Sequence, residues 1–317
     1  MPDVIAAPSA ALRAGILIAD DFLPRELAAA MREDIDAHFA EPEAHRPDTH
    51  QVWNYRFIPG LHACMRTAPE KVIRRDRVEN FMQALQSWSI AALGMGHVTW
   101  PCLSLHVNGC RQGLDNDAAN GRFAFVYSLT RDQRRTSGGQ TLVYREGDLL
   151  RNRLGETSAG RGLYDAVEPK FNRLVVFDER LPHAVERVEG SMDPVEGRFV
   201  LHGRLGETGT MVTGFLPGAI VEEALIGLFY DFAARNPARI ALYRGLLALR
   251  FVIGAKGSVQ SCDILFDRVM HEDPRHVDWE TLRDDLVDGF KSLRFPPAAG
   301  ETVVVKPLVF GAPSPGA

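Results

Sequence analysis

The sequence predicts an α+β protein in which an antiparallel sandwich or jelly roll, preceded by helices, is followed by a small α+β domain. Three observations lead there. Between Thr99 and Leu205, short apolar runs alternate with Gly- and Asp-containing turns, the signature of a sandwich or jelly roll. Ahead of them lie two segments with the apolar spacing of amphipathic helices. Beyond Gly206 the pattern changes to helix, two strands, helix and strand. At 317 residues, with 45% hydrophobic and 24% charged content, the chain can bury one large core or two smaller ones, and two domains is the expectation. The expected division is a mobile Ala/Pro-rich terminus at 1–13, a first domain at 14–208 and a second at 209–317.

Taken in order, Gly15 to Ala19 reads as a first strand, and Asp21-Phe22-Leu23-Pro24 opens a helix running to about His38, with Pro24 suited to its first turn. Residues 40 to 52 read as a loop. Val78, Phe81, Met82, Leu85, Trp88 and Ile90 mark a second helix, and Gly94 is placed to stop it. Strands follow at Gly121 to Thr130, around the hairpin Gly138-Gly139-Gln140-Thr141-Leu142-Val143, at Phe171 to Asp178, at Leu181 to Val185 and at Gly197 to Arg204. The polar stretch 145 to 162 reads as a surface loop near the site. In the second domain, Val221 to Leu247 is largely helical in pattern with a break at Asn236-Pro237. Strands at Leu246 to Ile253 and Val259 to Phe266 flank the turn Gly254 to Gly257. A helix at Trp279 to Leu293 precedes a last strand, Thr302 to Phe310.

Composition points away from some classes of partner and leaves a local basic patch open. A net charge of −5 and a pI near 6.1 give no broad electrostatic reason to expect nucleic acid or an anionic membrane surface. Cys64, Cys102, Cys110 and Cys262 show neither a Cys-x-x-Cys pair nor zinc spacing, and read as reduced packing residues in a cytoplasmic protein; a Cys102–Cys110 link is the minor alternative. No apolar run approaches membrane-spanning length, and the amino terminus has no export signal.

The chemistry concentrates in Asp115-Asn116-Asp117, His183 and Arg198. Non-haem Fe(II) centres hold their metal on one face with two imidazoles and a carboxylate, leaving open positions. Asp117 and His183 stand where the carboxylate and second imidazole belong. Together with the strand Gly121 to Thr130, the Gly-Gly-x-Thr hairpin at Gly138, the apolar strand before His183 and the strand begun by Gly197-Arg198, they resemble, in sequence order, the prolyl-4-hydroxylase-like branch of the 2-oxoglutarate oxygenases over about residues 14 to 206. The resemblance implies a double-stranded β-helix core, Fe(II) as metal, and 2-oxoglutarate and oxygen as cosubstrates. It implies hydroxylation of an unactivated carbon with release of succinate, and a peptide or protein side chain as substrate.

By the same resemblance Asp115, Asp117 and His183 are the metal ligands. Arg198 pairs with the distal carboxylate of 2-oxoglutarate, Arg204 is the fallback anchor, and Tyr127 and Arg122 lie on a strand that lines the cosubstrate pocket. His202 reaches the same cavity by strand alternation, and His106 is a substitute ligand or a satisfied core histidine. Trp53, Asn54 and Tyr55 either line an entrance or close a core. The departure from the pattern is Asp115, a carboxylate where the first imidazole belongs. It leaves three readings: a functioning carboxylate-rich centre that admits Mn(II) or Mg(II) more readily, a degenerate site, or a deliberate substitution.

Residues 249 to 259, Leu293-Arg294-Phe295-Pro296 and Val303 to Val305 resemble the carboxy-terminal domain of TonB-like proteins, which implies an interaction or substrate-delivery role. The plainer reading is a packing extension that covers the barrel or stabilises a homodimer. Two rivals to the oxygenase stand beside it: a catalytically degenerate binding module acting through that domain, and a metal-dependent lyase or isomerase on the same fold.

Overall fold

A computed structural model describes residues 15–40, 52–115, 122–131, 134–144, 163–271 and 278–311. The expectations for 1–13, for most of the 40–52 loop, for the 145–162 loop, and for Asn116 and Asp117 lie outside the described residues. The chain order is β1 (Ile16–Ala19), α1 (Arg25–Ala40), β2 (Asn54–Ile58), β3 (His62–Thr67), α2 (Arg75–Leu93), β4 (His97–Val98), β5 (Cys102–His106), β6 (Arg111–Asp115), β7 (Phe123–Ser128), β8 (Thr136–Ser137), β9 (Thr141–Tyr144), β10 (Tyr164–Val167), β11 (Arg173–Asp178), β12 (His183–Val185), β13 (Glu189–Gly190) and β14 (Arg198–Gly206). Then come β15 (Met211–Gly214), α3 (Gly218–Arg235), α4 (Pro237–Ile240), β16 (Tyr243–Ile253), β17 (Val259–His271), α5 (Trp279–Ser292) and β18 (Thr302–Phe310).

The chain forms two compact units. One comprises Gly15–Gln86 and Val98–Gly206, the other Ser87–His97 with Glu207 onward. The division falls at Gly206, and the end of α2 belongs with the second unit. There Gly94 adopts φ +66°, and a Cβ on it would sit 2.8 Å from that of Ala248, so a glycine both ends the helix and admits the strand beneath.

In the first unit, β1, β11, β7, β14, β5 and β3 follow one another in hydrogen-bonded order and continue through β6, β12, β9 and β10, with every pair antiparallel that carries the site. This is a curled, mostly β fold of the jelly-roll kind. Alternation gives β7 two faces: Phe81 of α2 packs on Tyr127 and Phe125 at 4.9 and 6.1 Å between ring centroids, while Ala124 joins Val143, Val175, Phe177 and Leu181 in an apolar cluster. Burial of these side chains supplies the main driving force, about 1.5–3 kcal/mol for each large one. Helix α1 is tied down by Arg32. Its guanidinium donates to Leu129 O (3.0 Å) and Val195 O (2.6 Å) and lies over the Phe199 ring, beside the residue that will matter most, Arg198.

The second unit is a four-stranded antiparallel sheet, ordered β15-β18-β16-β17, whose core joins Phe251, Leu249 and Val304 to Val221, Leu225 and Phe232 of α3 and to Leu282, Leu286 and Phe290 of α5. The helical reading of Val221 to Leu247 is corrected at its end, because β16 begins at Tyr243. The run from Gly245 to Leu249 is buried on both faces, and periodicity alone does not separate such a strand from a buried helix. No described helix is long and apolar enough to cross a membrane. All four cysteines are free, and Cys110 is buried whereas Cys102 is exposed.

Candidate active site

A cavity of about 300 Å³ opens inside the first unit. Alternate residues of β14, Arg198, Val200, His202 and Arg204, line one wall, and alternate residues of β5, Cys102, Ser104 and His106, line the strand beside it. Thr141, His183 and Val185 face them from β9 and β12, and Phe177 and Ala124 complete the apolar part.

His183 is 7% exposed. Its Nδ1 lies 3.0 Å from the carbonyl oxygen of Leu181, which requires a proton on Nδ1 and leaves the Nε2 lone pair available. The ring also packs on Phe177 at 4.8 Å, which fixes its plane. Asp115 is the register partner of His183 across the β6–β12 pair, so the first and last members of the predicted ligand set stand opposite each other on neighbouring strands. Asp117 lies outside the described residues, and the described residues contain no group of three metal-binding side chains.

Arg198 is 1% exposed. Its Nη2 donates to Thr141 Oγ1 at 3.1 Å and Nη1 lies 3.5 Å from His106 Nδ1, while Nε, fully buried, has no hydrogen-bond partner. No described carboxylate pairs with it. Burial pushes this guanidinium down to about 10. The hairpin glycine opposite makes room for its stem: Gly139 has φ +75°, and a Cβ there would stand 3.0 Å from Arg198 Cδ. His106, the register partner of Arg198, is held neutral by burial and then by the adjacent guanidinium. Its Nδ1 faces Arg198, and the ring lines the cavity. Burial also pushes His202 down to about 3, and its Nε2 is 2.8 Å from Ser104 Oγ.

The remaining predicted residues divide. Arg204 lines the cavity, but its Nε donates to Glu179 Oε1 at 2.8 Å, so its charge is compensated. Tyr127 does not line the cavity. Its hydroxyl donates to Asn172 Oδ1 at 2.8 Å, Asn172 in turn holds Leu23 N and O, and its ring packs on Phe22 and Phe81. Strand alternation places Val126 and Ala124 inward and Tyr127 toward the helices. Arg122 is likewise not a lining residue. Trp53 closes a core, stacking on Phe39 with Nε1 donating to His38. Sequence reasoning missed Arg66, Ser104 and Glu179 and gave Thr141 no role. Only the cross-strand register brings them to the cavity.

Residues 101–203 match the family model described as 2OG-Fe(II) oxygenase superfamily. No curated protein sequence matches the chain. Among solved structures, it is similar to a Trichoplax adhaerens prolyl hydroxylase in complex with a hypoxia inducible factor oxygen degradation domain peptide fragment (14% identity, 59% of this chain and 81% of that one, TM-score 0.42). It is also similar to a Pseudomonas putida prolyl-4-hydroxylase (16%, 61% and 93%, TM-score 0.42) and to an oxidoreductase of the 2OG-Fe(II) oxygenase family from Burkholderia pseudomallei (16%, 59% and 83%, TM-score 0.35). The family match places a 2OG-Fe(II) oxygenase domain on the segment that holds β5 to β14, and with it His183 and Arg198.

Proposed function

We propose that the protein is a non-haem Fe(II)/2-oxoglutarate-dependent dioxygenase that hydroxylates an unactivated carbon, with a peptide or protein side chain as substrate class. The observation that carries this reading is Arg198. A fully buried guanidinium with a free Nε–H and no described carboxylate partner suits a carboxylate ligand, because guanidinium geometry matches a carboxylate with two parallel hydrogen bonds. The register supports the same reading: Thr141, bonded to Arg198, is the register partner of Val185, and His183 stands two residues from Val185 on the same strand, so the anchor and the imidazole are diagonal neighbours on one wall.

The residues present fit the metal in part. His183, with its tautomer fixed by Leu181, offers Nε2, and Asp115 offers a carboxylate from the facing strand. Asp117 is the third proposed ligand on sequence grounds. Fe(II), when bound, supplies the redox and Lewis-acid chemistry by which 2-oxoglutarate, oxygen and R–H become succinate, carbon dioxide and R–OH. The chain's own contribution is positional. Arg198 and Thr141 hold the distal carboxylate, neutral His106 orients the guanidinium, Phe177 keeps the His183 ring in place, and Val185, Val200 and Ala124 exclude water.

Asp115 favours a second reading, a binding module that retains the anion site without turnover, since a carboxylate in place of an imidazole lowers the charge of the metal site by one. Anaerobic titration with Fe(II) and 2-oxoglutarate separates the two. A metal-to-ligand charge-transfer absorption that appears with the native chain and is lost in His183→Ala supports the dioxygenase. Binding of 2-oxoglutarate without that absorption supports the module, and no binding of either ligand rejects both.

A further inference from the structure

Three guanidiniums line the cavity, those of Arg66, Arg198 and Arg204, against one described carboxylate, Glu179, which Arg204 engages. The proposed cosubstrate accounts for Arg198. Arg66 remains. It projects from β3, its Nε is buried without a hydrogen-bond partner, and no described carboxylate pairs with it. Its neighbours do not compensate its charge: the thiol of Cys64, which burial keeps protonated, and the imidazoles of His62, His106 and His202, which burial and then Arg66 among other cations keep neutral.

The register places Arg66 apart from the anchor. Arg66 lies opposite Ser104, and Ser104 opposite Val200, so its row falls between that of Arg198 with His106 and that of His202 with Cys102. Each row is about 7 Å from the next. Arg66, Ser104 and the His202 that bonds Ser104 therefore form a second polar group along the cavity floor, on the side toward Arg204 and Trp100.

Resting on the dioxygenase reading, we infer that Arg66, with Ser104 and His202, is a specificity site for a carboxylate on the primary substrate, distinct from the carboxylate that Arg198 holds. A substrate with an acidic group near its target carbon brings the missing counter-charge, and a neutral analogue leaves a cavity-lining guanidinium uncompensated. The carboxylate can belong to an acidic side chain of a peptide or to a small acid.

The test uses the full chain saturated with 2-oxoglutarate and two matched probe pairs. One is N-acetyl-aspartate methylamide against its asparagine analogue, and the other is a blocked pentapeptide with a central aspartate against the same peptide with asparagine. Affinities are read by calorimetry or ligand-observed NMR. The acid is expected to bind at least about tenfold more tightly than the amide, the equivalent of one charge-assisted hydrogen bond. The preference should vanish in Arg66→Gln and persist in Arg66→Lys, which also reports if the Gln variant melts early. A preference confined to the peptide pair names a peptide as the source of the carboxylate, and one confined to the small pair names a free acid. Equal binding of acid and amide, or failure of both acids to bind, overturns the inference. So does an Arg66→Gln variant that weakens 2-oxoglutarate as much as loss of Arg198 does, since both guanidiniums then hold one cosubstrate. Failure of the native chain to bind 2-oxoglutarate at all defeats the dioxygenase reading instead, and the probe pairs titrated alone still report on Arg66.

Discussion

Replacing Arg198 with Met should push stability and ligand affinity in opposite directions. In the ligand-free protein the guanidinium is buried with one hydrogen bond to Thr141 and a long contact to His106. Its fall to about 10, caused by burial, corresponds to roughly 3 kcal/mol by which folding disfavours the charged form. Because the folded value is the lower one, the unfolded chain holds the proton more tightly, so stability rises with pH above about 10 and the full cost is present at neutral pH. Met removes that cost, forfeits about 1 kcal/mol for the Thr141 bond and about as much again for imperfect packing beside Gly139. The net is a gain of about 1 kcal/mol, or roughly 2–4 °C in Tm. Affinity moves the other way. Loss of the partner of a buried carboxylate costs about 2–5 kcal/mol, a weakening of Kd for 2-oxoglutarate by roughly 30-fold to several thousand-fold. Calorimetry for the ligand and a thermal melt without it test both. A variant that melts earlier yet binds 2-oxoglutarate as before would show that Arg198 is a structural residue and that the anion site lies elsewhere.

The metal site, the acid response and the domain boundary give further tests. His183→Ala and Asp117→Ala should each remove most Mn(II) binding, since each deletes one of very few protein ligands, and unchanged calorimetric titrations in both would defeat the proposed centre. Asp115→His should raise the charge of the metal site by one and tighten 2-oxoglutarate on the Fe(II) form, with more uncoupled succinate. Turnover by the native chain that the His variant loses would make the carboxylate a working ligand. The His202 ring, pushed down to about 3 by burial and then by Arg66, stays neutral where the unfolded chain titrates near 6.5, so stability should fall as pH drops from about 6.5 to 3. His202→Asn, which keeps a partner for Ser104, should flatten that slope in denaturant melts at pH 7 and 5, and identical slopes would count against a ring held neutral in the fold. A fragment ending near Thr208 keeps the cavity but strips the sheet around Ala248 from Leu93, Gly94 and Met95, and is expected to aggregate; a soluble monomer would show that the end of α2 is self-sufficient.

Strands bounded by turn residues were legible in the sequence, whereas the doubly buried start of β16 read as helix. Thr302–Phe310 begins and ends where its alternation does, and Arg173–Asp178 and Phe123–Ser128 lie inside the expected runs. The hairpin of β2 and β3 was not legible because every residue of β2 is exposed, and a strand that buries nothing has no apolar period to read. Tyr127 illustrates a subtler loss. Alternation separates Tyr127 from Val126, but both faces of β7 are apolar and mostly buried, so the sequence does not say which is inward. Arg66 was missed for a third reason: its relation to Arg198 passes through Ser104 and Val200 on two other strands, and local sequence carries no record of such a register.

The electrostatics of the cavity bear on whether the site is decayed. A carboxylate at position 115 weakens the attraction of the metal for a dianion, and taken alone it argues for lost function. Yet Arg198 and Arg66 leave the same cavity with two guanidiniums that no described carboxylate compensates, and burial of the first costs the fold about 1 kcal/mol net relative to Met. A pocket without a ligand gains nothing from that arrangement, because an apolar side chain at position 198 would give a more stable protein. Under the proposed dioxygenase reading a carboxylate at Arg198 recovers that cost, so the carboxylate at position 115, facing His183 across the β6–β12 pair, argues against the metal centre alone and not against the anion site.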